Sequence, residues 1–299
     1  MSIDPSASVV APAALPAASH VGPVTLAVRD LPGLVRWYRT VLGMQVLLER
    51  PDKAVLGAAD GRALLVLQGR PDLPADDPRR AGLFHVAYLM PSRRELARWV
   101  AHVAARRIAI EGASDHLVSE AFYLSDPEGN GIEVYRDRTR PEWPHEAGRL
   151  KIDTLPADIR GILAEGTAAP AFEGLPAGTT VGHVHLKVAD IADSRRFYVD
   201  ALGLEPMVET YPGALFVAAG GYHHHLGLNT WQSRGRPRPA PTLGLAAATL
   251  VLGDTRAVAA ALARLAAAGY ETDGDCVLDP SGNRIRLLAA EPTPEAAVA

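Results

Sequence analysis

The strongest constraint on this chain is that it repeats itself. Val28-Arg29-Asp30-Leu31, Trp37-Tyr38 and Leu42-Gly43 return as Val188-Ala189-Asp190-Ile191, Phe197-Tyr198 and Leu202-Gly203, at one offset of 160 residues. A second unit recurs independently, Asp126-Pro127-Glu128-Gly129-Asn130 coming back as Asp279-Pro280-Ser281-Gly282-Asn283. Repetition of this kind means that supersecondary units, arranged here as A-B-A′-B′, are the building blocks of the fold.

Each unit opens on alternating apolar residues such as Val24, Leu26 and Val28, the period of a half-buried strand. Asp30, Ser92, Asp190 and Asp254 then stand where a helix N-cap belongs. An amphipathic helix follows, with Leu34, Trp37, Tyr38 and Leu42 at helical spacing, and short strands broken by Gly, Pro and Asp turns complete the unit. The pattern predicts an α+β fold of four β-α-β-β-β modules, at about 19–70, 81–137, 179–232 and 243–290. Modules one and two form an N-terminal domain, 19–137, and modules three and four a C-terminal domain, 179–290. The stretch 138–178 links the halves, Pro237–Pro241 separates the last two modules, and 291–299 is a tail. Residues 1–18, rich in Ala, Pro and Ser and without a basic n-region, read as a disordered tail rather than a signal peptide. The Ala-rich stretch 257–268, interrupted by Arg264, reads as a surface helix.

With 299 residues, 48% of them hydrophobic and 21% charged, the chain is long enough for two cores. A net charge of −4 gives no electrostatic reason to expect nucleic acid or a bilayer as partner. No apolar run approaches the roughly 18 residues that span a membrane. Cys276 is the only cysteine, so no intrachain disulfide forms, as expected for a reducing cytoplasm in which ferrous iron is easily kept.

Metal-binding side chains are distributed unequally among the repeats. His85 and Glu133 lie in module two and His183 opens module three, while Pro23, Ala247 and Arg286 occupy matching places in the outer modules. Two histidines and one carboxylate form a ligand group that leaves open positions on a ferrous ion, so the chain reads as a non-haem iron oxygenase. A lone histidine among apolar residues is more often a core histidine bonded to a carbonyl. A buried carboxylate in Ile132-Glu133-Val134, however, is costly unless it is paired or bound to metal. The turn Asp126 to Gly131 delivers Glu133. His185, two residues beyond His183, faces the same side and either lines the site or supports a ligand. His20, His102 and His145 have no assigned role.

The four-module arrangement resembles the vicinal oxygen chelate superfamily over nearly the whole chain, and within it the bacterial catechol 2,3-dioxygenases. The segment Gly220-Gly221-Tyr222-His223-His224-His225-Leu226-Gly227-Leu228-Asn229-Thr230-Trp231, with Asp115-His116 before Phe122-Tyr123, carries the closer resemblance. That resemblance implies paired modules whose sheets roll into cups, with His85, His183 and Glu133 on the metal, Fe(II) or alternatively Mn(II). It implies a catechol and O2 as partners, and ring cleavage beside the two hydroxyls. The second member of a family His-His pair is an acid–base group, which aligns with His224, or with His225 if the register shifts by one. Tyr123 matches a tyrosine beside substrate and metal, and His116 a second distal histidine. The competing reading of His223 to His225 is a polar edge strand, alternation sending His224 to the face opposite its neighbours.

The family more often takes all three ligands from one half of the chain. Here they require modules two and three to share a cup, either within one chain or between two chains of a homo-oligomer. A glyoxalase-type lyase or isomerase is the alternative, although such sites bring a second carboxylate where the histidine run stands. A metal-free ligand-binding protein is the other.

Overall fold

Strands from one module of each half of the chain assemble into each of two curled sheets. The computed structural model describes residues 14–298. In the first sheet the order is Thr272–Asp273, Cys276–Leu278, Arg284–Leu288, Gly244–Val251, Val24–Val28, Ala63–Gly69, Lys53–Gly57 and Gln45–Glu49, which joins module four to module one. In the second it is Leu155–Pro156, Gly112–Asp115, Ser119–Ser125, Gly131–Asp137, Gly82–Leu89, Thr180–Lys187, Leu226–Asn229, Ala214–Ala218 and Glu205–Val208. Modules two and three therefore share a sheet within one chain.

All four expected N-caps are formed. The side chains of Asp30, Ser92, Asp190 and Asp254 accept from the backbone N–H groups of Gly33, Glu95, Asp193 and Ala257, and each satisfies one otherwise unpaired donor of a first helical turn. The helices Leu31–Val41 and Arg93–Ala105 turn Tyr38 and Trp99 into the core, both fully buried. Trp99 Nε1–H donates to Val41 O at 3.0 Å, which ties the helices of modules one and two together.

The repeated aspartates tie together the two modules of each half. Tyr38 OH donates to Asp126 Oδ2 at 3.0 Å, and Tyr198 OH makes the equivalent bond to Asp279 at 2.8 Å. Each bond runs from the helical segment of one module to the turn of the next. Tyr198→Phe leaves a buried carboxylate oxygen short of one donor. It is expected to lower stability by about 1.5–3 kcal/mol in denaturant melts, the range for a hydrogen bond to a charged group, with metal binding unchanged.

Three stretches read as tails or connectors contribute to packing. Of residues 1–18, residues 1–13 lie outside the described residues, but Leu15 is buried and its N–H donates to Gly203 O at 2.8 Å. Residues 138–178 contain the helix Ile159–Ala168 and, in Leu155–Pro156, an edge strand of the second sheet. At the other end, Ala297 and Val298 pack on Val55, Ala63 and Val66 of module one. No helix among the described residues is long and apolar enough to cross a membrane.

Candidate metal centre and its cavity

The two central modules meet where Gly82–Leu89 pairs antiparallel with Thr180–Lys187, placing His185 opposite His85 and His183 opposite Ala87. Register shifts flank the histidine pair, between Val181 and His183 and between His185 and Leu186, and such irregularities re-aim side chains. Glu133 arrives on Gly131–Asp137, which runs parallel to Gly82–Leu89 and places Glu133 beside Ala87. The turn before it is closed by Asp126 Oδ1, which accepts from the backbone N–H groups of Glu128 and Asn130, both at 2.9 Å. Gly129, at φ +84°, supplies the left-handed residue that this turn requires.

His85, Glu133 and His183 are all buried, and one donor atom from each lies within 4.8 Å of the others. Glu133 Oε2 is 3.0 Å from His85 Nε2 and 3.2 Å from His183 Nε2. Burial opposes ionisation of Glu133, but the close His183 imidazole, with His85 beside it, outweighs burial and holds the carboxyl well below its usual range. Burial lowers His183, keeping an imidazole lone pair available. His85 Nε2, although 3.0 Å from Glu133 Oε2, makes no aligned hydrogen bond to it and is buried without a hydrogen-bond partner. An orphaned nitrogen, a second imidazole and an ionised carboxylate converging on one point fit a divalent cation, because the ion supplies the partner that the nitrogen lacks.

These groups lie at one side of a cavity of about 560 Å³. Phe84, Phe216, Tyr211 and Ile152 give it apolar and aromatic walls, and Trp231, 47% exposed, stands at its rim. The volume and lining suit a small aromatic molecule. His185 also lines the cavity, and burial holds its imidazole well below the usual histidine range. Its ring occupies space left by Gly227 opposite, where a Cβ would come within 2.9 Å of the imidazole.

Tyr123, the cross-strand partner of Glu133, reaches the cavity too. Burial and the Glu133 charge push its hydroxyl well above the usual tyrosine range, so it remains protonated. His116 Nε2 lies 2.7 Å from the Tyr123 hydroxyl, and His116 Nδ1 lies 2.8 Å from Asp153 O. A carbonyl only accepts, so in the neutral imidazole Nδ1 carries the proton and Nε2 accepts from Tyr123.

The histidine run is not a strand. Gly220 and Gly221, at φ +61° and +65°, reverse the chain, and the next strand begins only at Leu226. Strand alternation therefore does not govern this run, although His224 does enter the cavity. Burial and neighbouring imidazoles hold His224 well below the usual histidine range. His225, the alternative, does not line the cavity: its ring stacks on Tyr222 at 4.8 Å, and its Nδ1 accepts from Ala219 N–H at 3.1 Å. Burial pushes it down to about 3.

Sequence reasoning passed over Asp137, which the structure joins to His223. Its signal was phase, since Glu133, Tyr135 and Asp137 share one face of a strand. Ile152 and Thr154 were also missed, because nothing in a connecting segment announces that it will wall a cavity.

The family model described as Glyoxalase/Bleomycin resistance protein/Dioxygenase superfamily matches residues 20–134 and 180–292. The chain is 41% identical over 260 residues to catechol-2,3-dioxygenase of Bacillus subtilis (strain 168), covering 85% of this chain and 90% of that protein. It is 30% identical over 114 residues to biphenyl-2,3-diol 1,2-dioxygenase 3 of Rhodococcus globerulus, covering 38% of this chain and 60% of that protein. In fold it is similar to glyoxalase I from Zea mays, with a TM-score of 0.54 at 15% identity, over 90% of this chain and 92% of that one.

Proposed function

The chain belongs to the Glyoxalase/Bleomycin resistance protein/Dioxygenase superfamily, and from that premise we propose that it is an extradiol dioxygenase cleaving a catechol with O2 at a non-haem Fe(II). The observation that carries this reading is one cavity holding both a His85–Glu133–His183 donor set and a neutral histidine, His224, outside that set. Catechol-2,3-dioxygenase activity in a relative 41% identical over most of both chains supports it. A reducing compartment such as the cytoplasm suits this metal, and the same three ligands accommodate Mn(II).

Bound by His85, His183 and Glu133, the ion would supply Lewis acidity toward the catechol hydroxyls and a meeting point for catechol and O2. His224 takes a proton from the substrate hydroxyl at Nε2 and later returns it. The Tyr123 oxygen, its proton directed to His116, offers a lone pair to the second substrate hydroxyl. Phe84, Phe216 and Trp231 hold the ring and keep water from it. Tyr123→Phe is expected to lower kcat/KM roughly ten- to hundredfold, as loss of one hydrogen bond to a reacting group does.

Anaerobic loading with Fe(II), followed by O2 uptake and appearance of a yellow product from catechol, tests the reading. Metal-loaded protein that consumes no O2 with catechols, yet isomerises a hemithioacetal, would place it with the glyoxalases instead. Metal analysis is expected to give about one ion per chain, because the other cup carries Ala247 and Arg286 at the places of His85 and Glu133 and arginine cannot act as a ligand.

A further inference from the structure

The hydrogen bonds behind His224 run away from the cavity and end on a carboxylate. His224 Nδ1 lies 2.8 Å from His223 Nδ1, and His223 Nε2 lies 2.8 Å from Asp137 Oδ1. His223 is fully buried. The second oxygen of Asp137 accepts from the Tyr222 hydroxyl at 2.8 Å, and the Tyr135 hydroxyl lies 2.9 Å from that of Tyr222.

With Asp137 ionised and both imidazoles neutral, proton bookkeeping along this chain leaves one consistent arrangement. The Asp137 carboxylate has no proton to give, so His223 Nε2–H must donate to it. A neutral His223 then presents only a lone pair at Nδ1, and His224 Nδ1–H must donate to that. The lone pair of a neutral His224 is thereby left at Nε2, which has no hydrogen-bond partner among the described residues.

We infer that Asp137 and His223 are positioning residues that fix the tautomer and heading of His224, so that its lone pair at Nε2 serves the substrate. The inference rests on the reading of His224 as the acid–base group. The same logic governs other catalytic imidazoles, where the carboxylate behind the ring selects the tautomer and does not itself take the proton. Because Asp137 lies on the strand that carries Glu133, one element sets both the metal ligand and the direction of the base.

The test begins with 15N-histidine NMR of the metal-free protein, the His224 resonances being identified by their loss in His224→Phe. The wild type is expected to show His224 protonated at Nδ1. His223→Leu removes the acceptor, and His224 should move toward the Nε2–H form that a free imidazole prefers. His223→Asn places a carbonyl oxygen near the lost Nδ1 and should restore the Nδ1–H form. With Fe(II) and catechol, His223→Leu and Asp137→Ala should lose roughly ten- to hundredfold in kcat, the usual effect of an outer-shell partner. KM should change less than about threefold, and His223→Asn should recover most of kcat. An Nε2–H form in the wild type overturns the inference, as does His223→Asn performing no better than His223→Leu. Unchanged turnover in His224→Phe would remove the acid–base reading itself, while the NMR result still reports whether Asp137 and His223 set the tautomer.

Discussion

Alanine at Glu133 is expected to strip the protein of its metal and its turnover while the fold survives. Glu133 is the only anionic member of the donor cluster, and its oxygen faces both imidazoles at 3.0 and 3.2 Å. An outer-shell partner of a metal ligand typically contributes about 10–100-fold in affinity, so loss of a ligand itself should exceed a hundredfold. Stability should change little, since the first sheet adopts the same pairing with Arg286 at the corresponding register position. His85→Ala and His183→Ala should follow the same course. Metal content after gel filtration, beside a circular-dichroism melt, reads both quantities. Stoichiometric metal retained in all three variants would sink the assignment.

The second large effect is expected at His224. Its substitution by Phe removes the only member of the histidine run that lines the cavity, and leaves the ligand trio intact. Metal content should stay at the wild-type level while kcat falls roughly a hundred- to ten-thousand-fold, the usual contribution of a general acid–base group. His225→Phe should behave differently, because His225 turns to Tyr222 and accepts from Ala219 N–H rather than facing substrate. Turnover should stay within a few-fold there, with stability lower by about 1–3 kcal/mol from the unpaired buried N–H. Loss of metal in His224→Phe would turn the residue into a ligand. Equal kcat in both variants would return the run to a structural role.

What the sequence by itself determined is local or repeated. The offset between Val28 and Val188 defines the modules, the capping aspartates mark the helices, and two histidines with one glutamate stand where the outer modules carry none. These features are readable because strand alternation, N-caps and tight turns depend on neighbours a few residues apart. The placing of the ligands already required modules two and three to share a cup, and tertiary structure decided that they do so within one chain. Tyr38 and Tyr198 bind turns within their own halves, but the sheets join module two to module three and module one to module four. It also decided that the histidine run is irregular chain rather than a strand, that His224 and not His225 reaches the cavity, and that Ile152 and Thr154 wall it. Asp137 and His223 lie 86 residues apart. Contacts of that separation are chosen by how two curled surfaces bury their apolar faces against each other, a quantity that no stretch of the chain carries on its own.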